Sequence, residues 1–128
     1  MFFKKKTPMQ RLVAAHTRME EARSDLVLHL HDFISDALKV ANGFALRNKH
    51  QKVIITGKHQ EDDTYVIEAL IGEAPIAQVV LDVLTLEARF SPAGGQVHTY
   101  RFQEYGQAIN ALGHYVEDLR PEAAAAAA

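Results

Sequence analysis

Residues 8–42 read PMQRLVAAHTRMEEARSDLVLHLHDFISDALKVAN, with no glycine and, after Pro8, no proline. Thr7 ahead of Pro8 marks a helix start. Threonine suits the N-cap, and proline suits the first helical position, where its missing N–H costs nothing. Asn42-Gly43 predicts the stop, since both residues reach the left-handed conformation that ends helices. A helix over 8–42 is about 52 Å long at 1.5 Å per residue, well beyond the usual three turns. Projected at 100° per residue, Met9, Leu12, His16, Met19, Arg23, Leu26, Leu30, Phe33, Ile34 and Ala37 cluster on one side. The steps of three and four give an a/d heptad pattern over four repeats. So long a seam in so short a chain predicts that the helix dimerises, through Leu12, His16, Met19, Arg23, Leu26, Leu30 and Phe33. His16 and Arg23 interrupt the apolar line. Polar groups in such seams are best known for setting register and partner number, and an acid of Glu117, Asp118 or a second subunit is the expected partner of Arg23.

From Lys52 the period changes to two. Lys52–His59 and Thr64–Gly72 are rich in β-branched residues and flank the polar turn Gln60-Glu61-Asp62-Asp63, a hairpin pattern. Ile76–Leu84 fits a short helix by spacing and a strand by its valines; strand is the expectation, with a bulge between Val80 and Leu84. Thr85–Phe90 and Gln96–Gln103 flank Ser91-Pro92-Ala93-Gly94-Gly95, a second turn. Leu84, Leu86, Ala88 and Phe90 share parity with Tyr100 and Phe102. Burying one face then requires even opposite even and an odd loop, Pro92–Gly94 or Ser91–Gly95. The expected pairs are Leu84 with Phe102, Leu86 with Tyr100 and Ala88 with His98. Glu104–Arg120 closes the fold as a second amphipathic helix burying Tyr105, Ala108, Ile109, Leu112, Val116 and Leu119. The fold class is therefore α+β. A long N-terminal and a C-terminal helix pack on a four- or five-stranded antiparallel sheet in a single domain over 1–121, with a basic tail at 1–7. An Ala-rich tail occupies 122–128.

The 128 residues are 48% hydrophobic and 23% charged, which excludes disorder as the global state. Cysteine is absent, removing disulfides, thiol catalysis and Cys-ligated zinc. No apolar run approaches the ~20 residues that span a bilayer, and Met1–Lys6 has no apolar stretch after its lysines, so a secretory leader is not expected. A cytoplasmic protein is the reading. The net charge of −2 divides unevenly: residues 1–60 hold eleven Lys and Arg against five acids, and residues 61–128 three against eleven. Mutual neutralisation of the two halves accounts for this. An anionic partner such as nucleic acid is the alternative, contacted by Lys4, Lys5, Lys6, Arg11, Arg18, Arg47 and Lys49.

Enzyme signatures are missing: there is no nucleophile elbow, dinucleotide fingerprint, phosphate-binding loop or His-Glu-x-x-His. His59 near Asp62 and Asp63, and His98 beside Tyr100, are the remaining acid–base candidates, and both read better as ordinary polar groups. Asp25, His29 and Asp32 share a helical stripe with Asp36, and carboxylates and imidazole three or four apart can share a divalent cation. A solvated polar face explains the stripe as well, so neither metal nor cofactor is expected.

The order helix, hairpin, middle element, hairpin, helix, with the stretch Gly72-Glu73-Ala74-Pro75, is similar in outline to the small dimeric chaperones of type III secretion systems. This chain departs from that outline in its longer first helix and in having one strand fewer before the middle element. The resemblance implies an interaction protein. Function is thus expected to be that of an adaptor or chaperone-like module that binds itself and another protein.

Overall fold

The computed structural model describes residues 7–61 and 64–120. Helix α1 runs Pro8–Leu46, followed by strands β1 (Ile54–Glu61), β2 (Thr64–Ile71), β3 (Ala74–Asp82), β4 (Glu87–Pro92) and β5 (His98–Arg101). A 3-10 turn, Phe102–Glu104, leads into helix α2, Tyr105–Asp118. The five strands form one antiparallel meander in sequence order. This is the expected α+β architecture. The chain divides into two compact units between Phe33 and Ile34.

The first unit is helical. Thr7 caps α1 as expected, and Gln10 completes the cap: the Gln10 N–H donates to Thr7 Oγ1 (3.1 Å) while the Thr7 N–H donates to Gln10 Oε1 (2.8 Å). Two of the end's orphan donors are thereby satisfied reciprocally.

In the second unit one face of the sheet is buried across β2, β3 and β4, and on the other Val66 is buried as well. The row Gly57, Ile67, Val79, Phe90 and the row Tyr65, Leu81, Ala88 pair across the strands, and Ile67, Val79, Leu81 and Ala88 are fully buried. Phe90 meets Tyr115 of α2 edge-on at 5.9 Å. Leu38 of α1 lies over Gly57. The five α2 residues expected in the core are buried, and so is Leu119 just beyond its end. The opposite face carries Lys58, Val66, Val80, Arg89 and Thr99 in one cross-strand row.

The structure departs from expectation in three places. Asn42-Gly43 does not stop α1, which continues to Leu46. Ala41 and Ala45 on either side of that pair are buried, so packing outweighs the weak helix propensity of Asn and Gly. The final turn tightens instead through the Arg47 N–H to Phe44 O (3.1 Å) and the Asn48 N–H to Ala45 O (3.1 Å). Next, residues 76–82 are strand, but the irregularity lies at the other end of it. Ala69 faces Ala77 while Leu70 faces Pro75, which leaves Ile76 as the extra residue. The β3–β4 pairing through Asp82–Glu87 is regular.

Finally, even residues do face even residues between β4 and β5, but two positions away from the expected register. Ala88 lies opposite Tyr100, Phe90 opposite His98 and Glu87 opposite Arg101. Seven residues, 91–97, separate the last pair instead of the expected three or five, and residues 83–86, expected to be in the strand from Leu84 on, form a turn. Asp82 Oδ1 accepts the N–H groups of Leu84 (2.9 Å) and Thr85 (3.2 Å), folding the chain before Glu87. Leu84 and Leu86, expected in the core, are therefore 76% and 50% exposed. Tyr105 locks this turn to α2, its hydroxyl donating to Asp82 O at 2.7 Å. Burial first, then the nearby Asp82 and Glu87 charges, push the Tyr105 hydroxyl up to about 12, so it stays protonated and able to donate.

Leu86 sits at φ 60°, a left-handed conformation that costs a β-carbon-bearing residue roughly 1 kcal/mol. Leu86→Gly should raise stability in urea melts by about 0.5 kcal/mol, the relief being partly offset by a freer unfolded chain. Leu86→Val should lower it by about 1 kcal/mol, because branching adds to the strain.

Candidate functional site

The residues expected to form an interface lie along α1, and their exposure changes along its length. Leu12 and Met19 are 64% and 56% exposed, and His16 and Arg23 are exposed with them. Leu26 and Phe33 are half-buried, and Leu30 is buried at 6% exposure. Met9 and Val13 add to the exposed apolar surface. From Leu30 on, the buried positions are Ile34, Ala37, Ala41 and Ala45, the same stripe continued at helical period. One helix thus carries an apolar stripe that is covered in its C-terminal part and open to solvent in its N-terminal part.

The polar stripe of α1 is solvated. His29 Nε2 stands 3.7 Å from Asp25 Oδ1, with both side chains 70% exposed. Asp32 is exposed as well. No group of three or more His, Asp or Glu side chains comes close enough to hold a metal ion among the described residues. His16 and Glu20 make a similar contact at 3.7 Å.

The described basic candidates are divided between the two units. Lys4, Lys5 and Lys6 lie outside the described residues. Arg11 and Arg18 are in the helical unit, whereas Arg47 and Lys49 are in the sheet unit. Arg47 Nε is 3.4 Å from Glu117 Oε1, and its guanidinium lies over the Phe44 ring at 4.5 Å. Glu117, named above as a candidate partner of Arg23, is thus engaged by Arg47. Lys49 and His50 share a cleft with Glu117, Asp118 and Arg120, a surface of mixed sign.

The two histidines weighed for acid–base chemistry are stacked on aromatic rings: His59 on Tyr65 at 4.5 Å between centroids, and His98 on Phe90 at 6.3 Å. Burial pushes the Tyr65 hydroxyl up. Among the described residues no helix is long and apolar enough to cross a membrane. Residues 76–82 are strand, so no helix separates β2 from β4 among the described residues. Compared with family models, curated proteins and solved structures, the chain shows no match.

Proposed function

We propose that this chain is a cytoplasmic protein-interaction module, adaptor or chaperone-like, that works as a homodimer joined through the first unit of α1. The observation that carries the reading is the exposed apolar stripe containing Met9, Leu12 and Met19 on a helix whose continuation is buried. Scattered exposed leucines are ordinary, but apolar residues held in one line at heptad spacing are the pattern of a helix that pairs. The absence of cysteine suits a reducing compartment. Nucleic-acid binding is less well supported. Arg47 is committed to Glu117 and Phe44, and the acids beside Lys49 would repel phosphate.

Light scattering at about 20 μM, where modest micromolar association is populated, should give twice the chain mass. The double variant Leu12→Lys with Met19→Lys should give the chain mass while keeping its helical circular dichroism at about 25 °C, since both side chains are solvent-exposed in the single chain; its melting temperature should fall to the value the wild type reaches on dilution. A monomeric wild-type protein at that concentration overturns the reading. Proteins that co-purify with the wild type and not with the double variant would identify the partner.

A further inference from the structure

Arg11, Arg18, Asp25 and Asp32 recur every seven residues along α1, and all four are exposed. Two cations are followed by two anions. The pattern is self-complementary on reversal: Arg11 and Asp32, and likewise Arg18 and Asp25, are equidistant from the point between Glu21 and Ala22. Beside this stripe run Leu12, Ala15, Met19, Ala22 and Leu26, spaced by three and four. With that line as the seam, the four charges take the flanking g positions, and His16 and Arg23 move to the opposite flank. No arginine then has to be buried, which the seam through His16 and Arg23 would require, and the one imidazole in the line, His29, falls at its end opposite Leu12 of the second copy.

Building on the homodimer reading above, we propose that a second copy of this chain docks antiparallel on this face. Arg11 then faces Asp32 of the second copy, and Arg18 faces its Asp25. Inside the seam Met19 packs on Ala22 of the second copy and Ala15 on its Leu26, and the centre of these layers falls within one residue of the centre of the charge pattern. The alanines let the backbones approach, so the arginines reach across. A parallel pairing does the reverse: it brings Arg18 against Arg23 of the second copy and leaves both aspartates without a cation. Antiparallel helix dipoles favour the same orientation.

The cysteine-free chain makes the orientation measurable by disulfide trapping. Antiparallel docking places residue 18 beside residue 25 of the second copy. It separates residue 18 from its own counterpart by about 10 Å and residue 12 from its counterpart by about 25 Å along the helix. A disulfide needs β-carbons about 4 Å apart. An equimolar mixture of Arg18→Cys and Asp25→Cys proteins should therefore cross-link, with a yield about tenfold above that of either variant alone. Leu12→Cys should not cross-link. Self-linking of Leu12→Cys, or equal yields from the mixture and the single variants, overturns the antiparallel arrangement. So does a wild-type dimer by light scattering from which no variant cross-links. A wild-type monomer instead overturns the homodimer reading itself, so the two failures are told apart.

Discussion

Gly113→Ala should destabilise this protein by about 2 kcal/mol, the reverse of what alanine does to an ordinary helical glycine. In the middle of a helix, alanine is favoured over glycine by about 1 kcal/mol. Gly113 is buried on α2, and Phe44 of α1 lies directly against it. A β-carbon there would overlap the ring, falling 2.6 Å from its Cγ and Cε2. The ring is confined, with the Arg47 guanidinium 4.5 Å from its centroid and the His114 ring edge-on at 4.9 Å. Forced overpacking of this kind costs about 1–3 kcal/mol; a ring held on two sides belongs at the upper end, which outweighs the gain in propensity. Urea melts of a double-mutant cycle check it. Phe44→Ala alone should destabilise by about 3 kcal/mol, and in that background Gly113→Ala should become stabilising by about 1 kcal/mol. A wild-type chain made more stable by Gly113→Ala would show that the contact is not a close one.

Much of this architecture is legible in the sequence, and the exceptions have physical causes. The helical period of 105–119 identifies every buried α2 side chain, because an amphipathic face is set by local spacing alone. Thr7-Pro8 marks the start of α1 for the same reason, and the reciprocal partner Gln10 was visible in the spacing Thr-x-x-Gln. Asn42-Gly43 misleads because the burial of Ala41 and Ala45 is a tertiary effect that no local signal carries. The start of β4 misleads through Asp82. Its carboxylate folds the chain over 83–86, and leucines at 84 and 86, one of them left-handed, hide a turn behind an apolar alternation. In the candidate interface, the heptad spacing of Leu12, Met19 and Leu26 is readable, and so are the charges. Treating basic and acidic residues as separate questions conceals that Arg11, Arg18, Asp25 and Asp32 form one stripe.

Asn48 is the other position where one substitution should be costly, and its chemistry separates loss of the amide from its replacement by a near-isosteric carboxylate. The side chain closes the joint between the end of α1 and the end of α2. Its Nδ2 donates to Val116 O (2.7 Å) and Leu119 O (2.9 Å), carbonyls that the end of α2 leaves without helical donors. Its Oδ1 accepts the N–H groups of His50 (2.8 Å) and Gln51 (3.1 Å), turning the chain toward β1. Gln51 Nε2 adds a longer bond to Leu119 O at 3.3 Å. Asn48→Ala removes four bonds at a partly buried site and should cost about 2 kcal/mol, part of the gross value returning as water reaches the exposed carbonyls. Asn48→Asp keeps the acceptor for His50 and Gln51 but turns a carboxylate oxygen toward two carbonyl oxygens. Repulsion is added to the lost donors, and the cost should reach about 3 kcal/mol at neutral pH. That excess has a signature. A carboxyl facing carbonyls is favoured in its protonated form, which donates once, so its folded pKa lies above the unfolded value. The penalty is full above the folded pKa and shrinks as pH falls toward the unfolded one. The stability gap between Asn48→Asp and Asn48→Ala in urea melts should therefore narrow between pH 7 and pH 4. A pH-independent gap would mean that the side chain at 48 does not face those carbonyls.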